Sequence, residues 1–301
     1  MASLKEVKGR ILTVSNTKKI TSAMKMVSSA KLHKAQASVA GMIPYEEKLH
    51  QMLTNILNGD AAIGVNPFTV NRPVKKVALV VFSSNSSLCG SFNVNIIKYF
   101  QKVVSAYKAL GVESIEIYTI GKKVDEALRK EGVTVAGSYT SLSEKPNYSE
   151  CAALADKLIR AFEQKLIDKV EFVYNHFKSM GSQVLTRATM LPLQLDGETD
   201  EKNKEENQEG VQHSMNHETD YIIEPSATEL LKELLPKVLR LKLYATLLDA
   251  NTAEHAARMI AIQVATDNAT DLMEELTLMY NKTRQQSITN ELLDIMGGTI
   301  N

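Results

Sequence analysis

Several stretches carry side chains that could do chemistry. "SSNSSLCGSFN", Ser83 to Asn93, follows an apolar, β-branched run and brings hydroxyls, amides and the Cys89 thiol together. After a strand of an α/β protein, such a loop could hold an anion or present a nucleophile. It could equally cap the next helix with a buried thiol beside it. No histidine lies near it in sequence to serve as a base, and the capping reading is preferred. "GKK" at Gly121 lacks the upstream glycines and the hydroxyl of a phosphate loop, and no G-x-G-x-x-G follows a strand. His213 and His217 have an i, i+4 spacing that suits a metal on a helix. They sit in an acidic stretch without a further ligand pattern, so solvated side chains are expected. His255 lies on an apolar helical seam and is read as packed. Met24, Met259 and Met279 are read as adaptable packing. Cys89 and Cys151 form no C-x-x-C pair, which fits a reducing compartment rather than a disulfide scaffold or zinc site. No catalytic residue, cofactor or metal ligand is assigned.

The elements that would position these residues fall into four segments. Residues 1–58 read as helix, with Gly9, Gly41 and Pro44 as the only interruptions. Apolar steps at Leu4, Val7, Ile11 and Val14 resume at Ile20, Met24 and Val27, so the stripe is expected to slip at "SNTKK". Residues 74–195 change period. Strands are expected at Val74–Ser84, Glu113–Gly121, Val133–Gly137, Lys169–Phe177 and Ser182–Leu193, with helical spacing between them: an α/β layer with parallel pairs and a closing hairpin. Residues 196–220 hold nine acidic side chains against Lys202 and Lys204 and are expected to form a flexible, solvated loop. Residues 226–297 return to helix, stopping at Gly297–Gly298 and kinked or jointed at Pro236. Met259, Ile262, Ala265, Ala269, Leu272, Leu276 and Met279 approach a 3.5 repeat. The two terminal segments would be roughly 85 and 105 Å long, longer than a globular domain needs. The expected architecture is an antiparallel coiled coil of the two ends plus a Rossmann-like α/β domain.

Charge is balanced overall, 35 basic against 35 acidic, yet locally lopsided. Residues 1–36 carry eight Lys or Arg and one acid, Glu6. In "KKITSAMKMVSSAKLHKAQ", Lys18 to Gln36, the lysines point to most sides of the helix and no acid balances them. A solvated helix normally mixes both signs; a surrounding acidic partner accounts for the lysines and for the missing acids. Nucleic acid is a weaker partner, since the lysines form no single stripe and no aromatic residue precedes Tyr45. No apolar run reaches the ~18 residues that span a bilayer. The basic start is read as part of the mature protein rather than a leader.

"GRILTVSNTKKITSAMKMVSSAKLHKAQ" and "EHAARMIAIQVATDNATDLMEELTLMYNKTRQQSITNELLDIMGG" closely resemble the two ends of the γ subunits of F-type ATP synthases. "LCG" after the first strand and "YIIEP" before the last helix fall where that family has them. The resemblance implies a rotor subunit, itself non-catalytic and without a cofactor. Its coiled coil would fill a head of α and β subunits, and its α/β domain would lie beside an ε subunit and above a membrane ring of c subunits. The complex would sit on the cytoplasmic face of a bacterial inner membrane, driven by protons or sodium ions, and nucleic acid is no partner. By position, Met24 and Lys25 would meet the β subunits' lever segments. Arg284, Gln285, Thr289 and Glu291 would meet the head's inner loops, and Tyr221 and Glu224 would lie near the ring. Asn85, Ser86 and Ser87 replace the family's usual Asp-Arg-Gly. Two other readings remain open: an α/β nucleotide-binding enzyme with helical extensions, and a coiled coil that binds DNA in a salt-dependent way.

Overall fold

The computed structural model describes residues 3–58, 68, 72–193, 224 and 226–298. In chain order the elements are α1 (Leu4–Asn58), β1 (Lys76–Phe82), α2 (Phe92–Ala109), β2 (Ser114–Ile120), α3 (Lys122–Lys130) and β3 (Gly137–Ser138). There follow α4 (Thr140–Glu144), α5 (Tyr148–Glu163), β4 (Lys169–Ser179), β5 (Ser182–Leu191) and α6 (Ala227–Gly298). Contacts divide the chain into two compact units. One comprises the described parts of 1–32, 88–90 and 255–301; the other comprises 33–87 and 91–254.

The larger unit is built on a five-stranded sheet of order β3-β2-β1-β4-β5, parallel except for the β4–β5 hairpin. β1 explains why the sequence alternates so little there. Val77, Leu79 and Val81 face α2 and α3, while Ala78, Val80 and Phe82 face α5 and α6, so both faces are covered. α5 starts at Asn147, whose side chain accepts from the Ser149 and Glu150 N–H groups. Leu53 and Ile56 of α1 join the same core as Leu231, Leu235, Leu239 and Leu243 of α6.

The sheet differs from expectation at one edge. The strand expected over Val133–Gly137 is reduced to Gly137–Ser138, with 133–136 outside it. Its short apolar alternation serves instead to place Val133 and Val135 against the α2–α3 core. Nor does Pro236 divide the last helix. α6 is continuous over 72 residues, and α1 runs through Gly9, Gly41 and Pro44 over 55.

In the smaller unit the ends of α1 and α6 share a seam. On α6 a row of buried or half-buried positions runs through 259, 262, 266, 269, 273, 276, 280, 283 and 287 in alternating steps of three and four, with 261, 263 and 270 half-buried beside it. That is a 3.5 repeat, the period of a left-handed supercoil. It keeps Met259, Ile262, Ala269 and Leu276 from the expected stripe but substitutes Thr266, Met273 and Tyr280 for Ala265, Leu272 and Met279. On α1 the seam passes through Leu4, Val7, Ile11, Val14, Lys18, Thr21, Met24, Ser28 and Leu32 without the slip that "SNTKK" suggested. Ile20 and Val27, assigned to the stripe by their chemistry, are 61% and 58% exposed. Apolar residues therefore lie on both sides of the seam, and apolar character alone could not tell the inner side from the outer.

Candidate functional site

The carboxyl ends of the parallel strands are where an α/β sheet usually binds ligands, at the point where strand order reverses. Here that point lies between β1 and β4, and beside it the space over the ends of β1 and β2 is occupied by the chain itself. Leu247, Ala250, Asn251 and Glu254 of α6 line, with Phe82, Ser83 and Ile120, a residual cavity of about 10 Å³, which is room for a single water. Gly121 follows β2 with φ of 105° and lies so close to β1 that an added Cβ would sit 2.1 Å from the Ser83 carbonyl oxygen. The gap between these two strand ends is closed by backbone.

The Ser83–Asn93 loop is tied down rather than open. The Asn93 Nδ2 donates to the Ser84 Oγ at 2.8 Å, and the Ser84 Oγ donates to the Ser86 carbonyl at 2.6 Å. The Asn85 amide donates to the Thr140 carbonyl at 2.8 Å and accepts from the Lys122 N–H at 3.0 Å, joining the loop to the starts of α3 and α4. That gives the Asn85 departure from the family pattern a structural role. In the smaller unit Cys89 is 2% exposed and Gly90 packs against Ala261. Cys151, in the other unit, is also buried, and burial pushes its thiol up to about 12. Both thiols fit packing rather than nucleophilic chemistry. Among the described residues there is no cluster of three or more His, Cys, Asp or Glu groups that could hold a metal.

Of the described side chains assigned to partners, all but Met24 are exposed, and Met24 lies on the α1 seam. Lys25 is exposed and Met24 half-buried on α1; of the five lysines between 18 and 36, Lys19, Lys25, Lys31 and Lys34 are exposed and Lys18 alone is half-buried. Arg284, Gln285, Thr289 and Glu291 are all exposed on α6, where the Thr289 hydroxyl donates back to the Gln285 carbonyl at 2.9 Å. Glu224 is exposed. Tyr221, His213, His217 and the 196–220 stretch lie outside the described residues. Among the described residues these positions line no cavity; Lys25, Arg284, Gln285, Thr289 and Glu291 spread over outer helix surfaces. The same surfaces carry large apolar side chains: Met26 is 76% exposed and Leu278 72%, with Leu292, Leu293, Ile295 and Met296 at 56–65%. Sequence patterning left these residues unassigned, and it took the likewise exposed Ile20, Val27, Leu272 and Met279 for core.

A sequence profile described as ATP synthase matches residues 3–300. This chain belongs to the ATP synthase gamma-chain family. The ATP synthase gamma chain of Phocaeicola vulgatus is 55% identical to it over 300 residues, covering all of both chains. That of Bacteroides fragilis is 54% identical over 301 residues, again covering both in full, and that of Christiangramia forsetii is 41% identical over 99% of this chain and 98% of its own. Two cryo-EM structures of the Euglena gracilis mitochondrial ATP synthase share the fold. A chain of its rotor in rotational state 1 aligns with TM-score 0.62 at 20% identity over 95% of this chain and 98% of that one. A chain of its OSCP/F1/c-ring assembly in state 3 aligns with TM-score 0.65 at 21% over 99% and 93%. The family's architecture, two long terminal helices and a mixed α/β sheet, is the one described above. No helix among the described residues is long and apolar enough to cross a membrane.

Proposed function

We propose that this chain is the central shaft of a rotary ATP synthase, turning inside a head of α and β subunits and joined below to an ε subunit and a ring of c subunits. The observation that carries the reading is the outer surface of the helix pair. A 3.5-repeat seam closes the pair, while lysines, methionines and large apolar residues face outward from both helices. Monomers seldom leave such a surface uncovered, and a ring closing around the shaft would cover it on all sides. The chain makes or breaks no bond itself. Its strand-end crevice is filled by α6, and nucleotide chemistry belongs to the surrounding head. It is held peripherally at the cytoplasmic face of the bacterial inner membrane through its partners.

The mechanism is mechanical. One charge moving through 100 mV yields about 2.3 kcal/mol, so several crossings must be pooled for each ATP. A stiff, asymmetric shaft stores those steps as twist. It then presents different faces to each β subunit in turn, biasing that subunit between open and closed states. Met24 and Lys25 meet the β levers; Arg284, Gln285, Thr289 and Glu291 meet the head's inner loops; Tyr221 and Glu224 lie toward the ring. ATP hydrolysis by the purified chain alone, and then mixed with matching α and β subunits, tests the reading. Silence alone with turnover on mixing is the expected result. Turnover by the chain alone would return it to the enzyme reading, and no complex on mixing would remove the rotor.

A further inference from the structure

A shaft delivers torque only if its α/β body cannot turn about the long helix that leaves it. The apolar contacts of α6 with that body include Leu231, Leu235, Leu239, Leu243, Leu247 and Ala250, with Leu234, Val238 and Tyr244 packed at their edges. Apolar ridges resist separation well but have no directional bond to oppose slipping around the axis. Three polar side chains of α6 supply such bonds, all to the α/β body and all outside the loop and partner residues described above.

The Arg240 Nε donates to the Asp156 Oδ1 of α5 at 2.6 Å. The Asn251 Nδ2 donates to the Ser143 carbonyl of α4 at 2.9 Å, and the Ser143 Oγ donates in turn to the Ser83 carbonyl at the end of β1. Asp249 takes two bonds from β4: its Oδ1 accepts from the Phe177 N–H at 3.0 Å and its Oδ2 meets the His176 Nδ1 at 2.6 Å. At 100° per residue, Asn251 lies about 20° around the helix from Arg240 and Asp249 about 180° from it. The body thus grips α6 from opposite sides. Contacts about 5 Å from the axis move about 0.9 Å for each 10° of rotation, enough to carry a 2.9 Å hydrogen bond out of range. Rotation in either sense breaks bonds on both flanks.

We infer that Arg240, Asp249 and Asn251 are torque-positioning residues, which fix the angle of α6 in the α/β body so that rotation of one is rotation of the other. This rests on the rotor reading. Asp249 is the key member because, of the three, it is the one on the second flank. Beside it a groove of about 530 Å³ opens between α1 and α6, lined by Val39, Met42, Glu46, Tyr174, Phe177 and Leu248.

The test uses the full ATP synthase reconstituted in vesicles with this chain, reading ATP hydrolysis and ATP-driven ion pumping in the same preparation. Asp249→Ala is expected to leave complex content and hydrolysis within about twofold of the unaltered enzyme while pumping per ATP falls severalfold. Arg240→Asp, which sets two carboxylates face to face, gives a similar loss, and adding Asp156→Arg to it restores pumping. A role in folding alone would lower content and hydrolysis together and leave their ratio to pumping unchanged; that result overturns the inference. Should Asp249→Ala fail to assemble, Arg240→Asp and its rescue decide, since both side chains are about one-third exposed. If the unaltered chain supports no pumping, the rotor reading falls. If it pumps and the variants keep its ratio, only the positioning role falls.

Discussion

Glu171 and Arg187 meet diagonally across the β4–β5 pair through two hydrogen bonds, of 2.6 and 3.0 Å, and the carboxylate is almost wholly buried while the guanidinium is one-third exposed. Lys169 reaches the same carboxylate at 2.7 Å, and Arg187 also donates to the Tyr107 hydroxyl at 2.6 Å while lying over its ring. The network ties the hairpin to α2. It also registers β5, a half-buried strand whose face alternation alone would specify register weakly.

The two ends of that pair are unequal, and so are the expected costs of losing them. Arg187→Met leaves Glu171 buried with Lys169 alone and should destabilise the chain by about 3 kcal/mol. Glu171→Gln keeps the volume and leaves a guanidinium that already reaches water, costing about 1–2 kcal/mol. Urea unfolding of both variants measures the difference; equal costs would mean that the burial asymmetry does not matter.

Acid should act on the same residue. Burial pushes the Glu171 carboxyl up, but the hydrogen bonds and charges of Arg187 and Lys169 outweigh it and hold it below its usual range. A depressed carboxyl contributes stability above its unfolded pKa, about 4.3, and loses it as pH falls through the folded value. The melting temperature of the unaltered chain should drop below pH about 4 more steeply than that of Glu171→Gln. Parallel curves would exclude Glu171 as a source of acid sensitivity.

Much of the fold was legible because long, strongly patterned elements repeat one message. The buried strand over Val77–Phe82, the hairpin at β4–β5 and the two terminal helices all read plainly. The seam did not. Leu272, Met279, Ile20 and Val27 are apolar yet face outward, and Thr21, Thr266 and Lys18 face inward. In a shaft meant to be surrounded, both sides are apolar, so hydropathy cannot choose between them. The polar grip on α6 was illegible for another reason. Arg240–Asp156 and Asp249–His176 join residues 84 and 73 positions apart, and no local pattern announces such a pair.

Base should loosen the other end of the sheet. The hydrogen bond to Asp249 raises the His176 pKa, desolvation works against it, and the Asp249 charge adds to the rise. A raised histidine contributes stability fully below its unfolded value near 6.5 and loses it as pH climbs through the folded value. The half-exposed ring keeps the effect small, about 1 kcal/mol at most. Unfolding midpoints should fall from pH 6 toward pH 8.5 in the unaltered chain and stay flatter in His176→Gln. A Gln variant with the same slope would assign the pH dependence elsewhere.

Glycines in this chain divide sharply by surroundings. Gly121 combines φ of 105° with the Ser83 carbonyl oxygen where a Cβ would go, so Gly121→Ala should cost on the order of 3 kcal/mol. Gly41 lies within α1 with nothing nearby, and Gly41→Ala should stabilise the isolated chain by about 0.5–1 kcal/mol. Thermal unfolding of the two variants should therefore move in opposite directions; a tolerated Ala at 121 would contradict the close β1–β2 approach.

The shaft's charge is the remaining test, and it separates contact with a partner from charge in general. Lys25 and Lys102 are both exposed lysines on helices, but Lys25 belongs to the acid-free stretch of α1 and Lys102 to α2 of the α/β body. An acidic ring around the first would meet a reversed charge with repulsion at every step of rotation. Lys25→Glu should lower ATP turnover in the mixture with α and β subunits about tenfold, equivalent to ~1.4 kcal/mol in the barrier. The loss should shrink at high salt, because part of the repulsion is screened. Lys102→Glu should leave turnover within about twofold. Equal losses in the two variants would mean that net charge rather than position matters, and the lysine-lined helix would then need a partner other than an acidic ring.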